Sequence, residues 1–277
     1  MSDFDTGTDD LLARREGHVG VITFNRPARR NALSDAMYHG FRQVLPRFAT
    51  DPQIRVVLIT GAGGAFCAGG DVKGMNEANQ RGTTRAGQPE RYDDRVGYLR
   101  LRHRWVSAAI HELAKPTVAA LPGPAAGAGL SIALATDLRV AAEGAILVTA
   151  FTNVAASGDF GGSWFLTQLV GPAKAKELYF TSPRLSAAQA AELGIVNRVL
   201  PDDRFDVAAL EYCHDLATRA PIALRYMKEN INRATSSDLL TALDAEAANM
   251  VRTMTTADHR EAAAAFVEKR TPRFEGE

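Results

Sequence analysis

Short apolar runs alternate with amphipathic stripes through the first two thirds of the chain. Residues 19–24 (VGVITF) and 55–60 (RVVLIT) are apolar runs of strand length. The second has the unbroken apolar character of a strand buried on both faces. Ser34 stands where a helix N-cap would. It precedes a segment whose Met37, Phe41, Val44, Leu45 and Phe48 fall on one stripe. Residues 99–113 read as a second amphipathic helix, 117–121 as a strand, 127–136 as a helix, and 138–141 and 145–149 as further strands. The stretch 118–135 carries no charge and is long enough to suggest a membrane span. Pro122, Gly123, Pro124, Gly127 and Gly129 break it instead into strand, turn and helix start. Residues 76–94 are polar without a period and read as a surface segment.

Beyond Pro172 the pattern changes. Ser186 and Gln189 form a capping box that opens a short helix, Gly194 ends it, and residues 204–269 are almost wholly helical in pattern. The expectation is an α/β body over residues 1–200 followed by a helical region over 201–277, with no internal repeat and no low-complexity tract.

Composition narrows the function classes. The 277 residues carry 32 Lys+Arg against 32 Asp+Glu, which leaves no basic field for a broad nucleic-acid surface. Apolar residues are 46% of the chain, too many for a disordered one. The two cysteines, Cys67 and Cys213, form no CxxC, and no His pair has metal spacing. A reducing, cytoplasmic setting without a metal site is the expectation. The first 15 residues lack the apolar stretch of a signal peptide.

Two glycine-rich turns stand out, GAGGAFCAGGD at 61–71 and GPAAGAG at 123–129. Neither contains GK[ST] or GxGxxG, so neither is a phosphate loop or a dinucleotide fingerprint. Small residues there expose backbone amides, and amides at a helix start stabilise negative charge. Tight core turns would leave the same pattern.

Four ordered motifs carry a resemblance. Phe24-Asn25-Arg26-Pro27 with Asn31-Ala32-Leu33, residues 65–73 (AFCAGGDVK) with Met75, residues 115–137, and a tail including Asp258, Glu261, Phe266, Lys269 and Pro272 resemble the signatures of the enoyl-CoA hydratase/isomerase (crotonase) family. The resemblance covers nearly the whole chain. It implies a spiral of ββα units, a C-terminal helical trimerisation region and a homotrimer or dimer of trimers. It also implies an acyl-CoA thioester substrate, with coenzyme A belonging to the substrate and no separate cofactor.

By the same resemblance the amides of Gly70 and Ala128 form an oxyanion hole for the thioester oxygen. Arg29, Ala32, Ala68 and the run Gly70, Asp71, Val72 and Lys73 would line the pantetheine and nucleotide end, and Phe266 and Lys269 would reach the adenine. Other readings stay open at this point. Arg26, Arg29 and Arg30 could be a solvated face, Asp71 and Lys73 loop residues, and Phe266 a core residue.

The chain departs from the hydratase pattern where it matters most. The two glutamates that hold water in the family's hydratases fall here on Ser131 and Phe151, both then lining the acyl pocket. Asp159, ahead of Phe160-Gly161-Gly162, resembles the acidic position of the family's isomerases. One carboxylate suffices for isomerisation, because a single base takes a proton from one carbon and returns it to another. Asp159 could instead cap the helix expected at 163–170. The expectation is an isomerase of unsaturated acyl-CoA. The alternatives are a hydratase using Glu77 or Glu90, and a silent acyl-CoA binder.

Overall fold

The computed structural model describes residues 2–74, 76 and 91–277. Met75, Glu77 and Glu90, and most of the polar stretch 76–94, lie outside the described residues. Among the described residues ten strands follow one another: β1 Ser2–Phe4, β2 Leu11–Glu16, β3 Val19–Phe24, β4 Val56–Gly61, β5 Thr117–Leu121, β6 Ala125–Ala126, β7 Leu138–Ala142, β8 Ile146–Val148, β9 Leu185–Ser186 and β10 Arg198–Leu200. Seven form one sheet in the order β1-β2-β3-β4-β5-β7-β10, and β6-β8-β9 form a smaller one. The main sheet begins as an antiparallel meander and is parallel from β3 onward. All five residues of β5 are buried, as an unbroken apolar run in a parallel sheet requires.

The chain winds as a spiral. One turn runs β5, β6 and the helix Ala128–Leu134; the next runs β7, β8 and the helix Gly162–Thr181. In the small sheet Ala125 pairs in parallel with Leu147, and an isolated parallel bridge ties Cys67 of the preceding turn to Ala125. Equivalent residues of three successive turns therefore lie side by side. This stacking positions the candidate site.

The helix Asp35–Thr50 forms where the stripe predicts. Ser34 Oγ accepts the Met37 amide at 3.3 Å and donates to Asp10 Oδ2 at 2.6 Å, and Met37, Phe41, Val44, Leu45 and Phe48 are all buried. The helix expected at 99–113 starts earlier, as Tyr92–His103. It widens into a π-helical turn at Arg104–Ala108 before closing as Ala109–Glu112. The helix expected at 163–170 forms from Gly162 and is ended by Gly171, whose φ 74° and ψ 164° are not helical; a second helical run follows to Thr181. The capping box at Ser186 forms as read.

The first helix after residue 201, Phe205–Ala217, buries Phe205, Ala209, Cys213 and Ala217 in the same core as the strands. The last three helices, Pro221–Ala234, Leu239–Met254 and Ala257–Glu268, leave many apolar side chains exposed, among them Ile231, Leu240, Met250 and Phe266. Among the described residues no helix is long and apolar enough to cross a membrane.

Candidate active site

Gly70 stands three residues beyond Cys67, and Ala128 three residues beyond Ala125, so the bridge between Cys67 and Ala125 puts both at corresponding points of adjacent turns. The two glycine-rich bends touch. A Cβ built on Gly69 would lie 2.6 Å from the Ala126 carbonyl oxygen and 3.1 Å from the Ala128 amide nitrogen, and Gly69 itself has φ +84°. Only glycine permits both that conformation and that approach. The bends are held by other groups than the Gly70 and Ala128 amides: Leu33 N–H donates to Gly69 O, Val72 N–H to Gly70 O, and Ala126 N–H to Cys67 O, the last tying one bend to the other. Among the described residues neither the Gly70 nor the Ala128 amide donates to a protein acceptor. Ala128 opens a buried helix, whose dipole adds positive potential at its amide.

Asn31 locks the first bend. It is fully buried at φ 58°; its Oδ1 accepts the Arg26 amide at 2.8 Å, and its Nδ2 donates to the carbonyls of Ala62 (2.9 Å) and Ala65 (2.7 Å). This explains the asparagine of the first motif. Asn31→Ala leaves the Ala62 and Ala65 carbonyls short of a donor and the Arg26 amide short of an acceptor, and is expected to cost roughly 3 kcal/mol or more in urea unfolding, at about 1–3 kcal/mol per orphaned group. A loss below half a kcal/mol would show that the loop holds itself.

Arg26 is a structural residue. Its guanidinium donates to Ala32 O at 2.7 Å and sits 3.6 Å from Asp10 and 3.5 Å from Asp71. Asp71 is held below the usual carboxylate range, chiefly by the Gly74 amide and further by the nearby Arg26 and Arg29 guanidiniums. Ala32 is buried, whereas Arg29, Arg30, Ala68, Val72 and Lys73 are exposed around the first bend. Lys269 ends the last helix at φ 56°, and Phe266 is 86% exposed, so it is no core residue.

Ser131 lies one turn into the helix that Ala128 opens. It is buried, donates to Gly127 O at 3.2 Å, and its hydroxyl lies with that of Tyr179 against Gly162. No histidine or acid touches it among the described residues, so it is not an activated nucleophile. Burial pushes Tyr179 up to about 12, which keeps it a neutral phenol. Phe151 stacks on the Tyr179 ring at 5.8 Å. Gly162 admits this group: a Cβ there would overlap Ser131 Oγ and lie 2.7 Å from the Tyr179 hydroxyl. Cys67 is wholly buried, and burial pushes its thiol up to about 12, so it is inert.

Asp159 leads into the next helix but does not cap it. The N-cap is Gly161, with no side-chain bond to a helix amide. Oδ1 of Asp159 accepts both His103 Nε2–H and the Phe160 amide (2.9 Å), while Oδ2 has no partner among the described residues. Phe160 takes φ 50° and is buried, stacked on Tyr38 at 5.6 Å. Neither His103 nor Tyr179 was legible as a site residue: the first lies 56 positions from its partner, and neither sits in a motif.

The site is thus two adjacent amides free to donate among the described residues, a wall of buried Ser131 and Phe151 with half-buried Tyr179, and one half-free carboxylate. The enoyl-CoA hydratase/isomerase family model matches residues 14–277. The chain is 36% identical over 266 residues to the 1,2-epoxyphenylacetyl-CoA isomerase of Escherichia coli K12, covering 96% of this chain and 98% of that one. It is 32% identical over 263 residues to the short-chain-enoyl-CoA hydratase of Clostridium acetobutylicum, covering 95% and 96%. The crystal structure of an enoyl-CoA hydratase from Polaromonas sp. JS666 matches with a TM-score of 0.87 at 36% identity, covering 95% of this chain and 99% of that one. The chain belongs to the enoyl-CoA hydratase/isomerase family, with the crotonase fold, and is an acyl-CoA enzyme of that family.

Proposed function

We propose that the protein isomerises an unsaturated acyl-CoA by moving a proton through a thioester enolate. The Gly70 and Ala128 amides would hold the thioester oxygen as negative charge develops on it. Preorganised donors of this kind lower the barrier because they need no reorientation during reaction. Asp159 Oδ2 would take the proton from Cα and return it to Cγ, so one group acts as base and then as acid. Arg29, Ala68, Asp71, Val72 and Lys73 would face the coenzyme A moiety, with Ala32 beneath them, and Phe266 and Lys269 its adenine. Ser131 and Phe151 would line the acyl end.

One observation carries this reading: Asp159 offers a carboxylate oxygen that has no partner among the described residues, while Ser131 and Phe151 occupy the positions where a hydratase would carry its glutamates. The isomerase name of the Escherichia coli relative agrees with it. The test offers trans-3-enoyl-CoA and trans-2-enoyl-CoA in parallel. Conversion of the first to the second without incorporation of solvent oxygen supports isomerisation. Robust hydration of the second would establish the water-adding reading instead, and binding without turnover the silent one.

A homotrimer, alone or paired into a hexamer, is the assembly we propose for the last three helices. Exposed Ile231, Leu240, Met250 and Val251 need a cover that the single chain does not supply. Sedimentation equilibrium at micromolar concentration should give three or six chain masses; a monomer would refute it.

A further inference from the structure

Asp159 is held from one side only, and the holder comes from a different part of the chain. His103 ends the α-helical part of Tyr92–His103, immediately before the helix widens into its π turn. Such widenings recur at functional sites because they re-aim the side chains around them. The imidazole meets Asp159 Oδ1 through Nε2 and packs its edge on the Phe160 ring at 5.0 Å. Phe160 in turn stacks on Tyr38, whose other contact is the Arg102 guanidinium at 4.7 Å. Arg102 is fixed by Asp35 at 2.6 Å. The imidazole therefore has few orientations open to it.

The pair is not a stability device. Its side chains keep 36% and 26% of their exposure, and ion pairs so open to water contribute little to folding. What the contact does is geometric. Two donors converge on Oδ1, which fixes the plane of the carboxylate and leaves Oδ2, without a partner among the described residues, as the oxygen to exchange a proton.

We infer that His103 is a positioning residue for Asp159: it clamps Oδ1 so that Oδ2 points at the carbon that gives up its proton. The inference rests on the reading of Asp159 as the acid/base group. A carboxylate without the clamp swings about its χ2 torsion, and small misplacements of a reacting group cost large rate factors.

The test uses the full-length protein and follows deuterium from D2O into trans-3-hexenoyl-CoA, together with steady-state kinetics and thermal melts. His103→Ala should lower kcat by roughly 10- to 100-fold while leaving KM within about threefold. His103→Gln restores a neutral donor at similar reach and should recover most of the loss, with both variants melting like the wild type. An unchanged kcat in His103→Ala, or a glutamine variant no better than alanine, would overturn the inference. The two levels separate cleanly. Full exchange or conversion by Asp159→Asn, or no conversion of the 3-enoyl ester by the wild type, defeats the Asp159 reading itself. Lost exchange in Asp159→Asn with normal His103→Ala removes only the clamp.

Discussion

Asp159→Asn should lose proton transfer between substrate carbons by roughly 100- to 10,000-fold, the usual contribution of a positioned general base. Asparagine keeps the shape and one carbonyl oxygen, so the Phe160 amide retains its acceptor and the bend at φ 50° has no reason to move. What disappears is the basic oxygen. Substrate affinity should change little, because most contact with an acyl-CoA would lie along the coenzyme and acyl chain. The measurement is the rate of conversion of trans-3- to trans-2-hexenoyl-CoA, with deuterium entry from solvent at Cα and Cγ followed in parallel, alongside KM. A variant that exchanges at the wild-type rate would transfer the role to another group.

Ala128→Pro is the second large effect. Proline has no amide hydrogen, so it deletes one proposed donor outright. The first helical position is where proline is best tolerated, since its amide has no partner within the helix. Here the Ala128 amide makes no hydrogen bond among the described residues, and the preceding residue is a glycine at φ 52°. Folding stability should therefore change little, while kcat falls roughly 100- to 1,000-fold, as for loss of one oxyanion donor. Ala128→Gly keeps the amide and serves as the control. A proline variant with near-normal kcat would mean that charge on the thioester is stabilised elsewhere.

Much of this was legible from residue order. The strands at 19–24 and 117–121 were read to the residue because both are continuous apolar runs with punctuation at their ends. β2 was missed. Its LLARRE places Arg14, Arg15 and Glu16 half-exposed, near the antiparallel end of the sheet where water reaches one face, so apolar patterning fades. The helix read at 163–170 does stop where Gly171-Pro172 signals, and what went unread is the separate helical run that follows to Thr181.

The site divides in the same way. The glycine-rich bends announce themselves, since close backbone approach demands glycine, and Gly69 meets that demand against Ala126 and Ala128. The polar partners do not. His103, Tyr179 and the Asn31 latch act through contacts that only the winding of the spiral creates. A histidine with no motif around it gives no sequence signal of the carboxylate it will meet.

The most direct measurement is a crystal structure with an acyl-CoA thioester bound. The thioester oxygen is expected about 2.7–3.1 Å from both the Gly70 and Ala128 nitrogens, the range of a working oxyanion hole, with Cα facing Asp159 Oδ2. A thioester carbonyl seated away from both amides, on any other group, would contradict it.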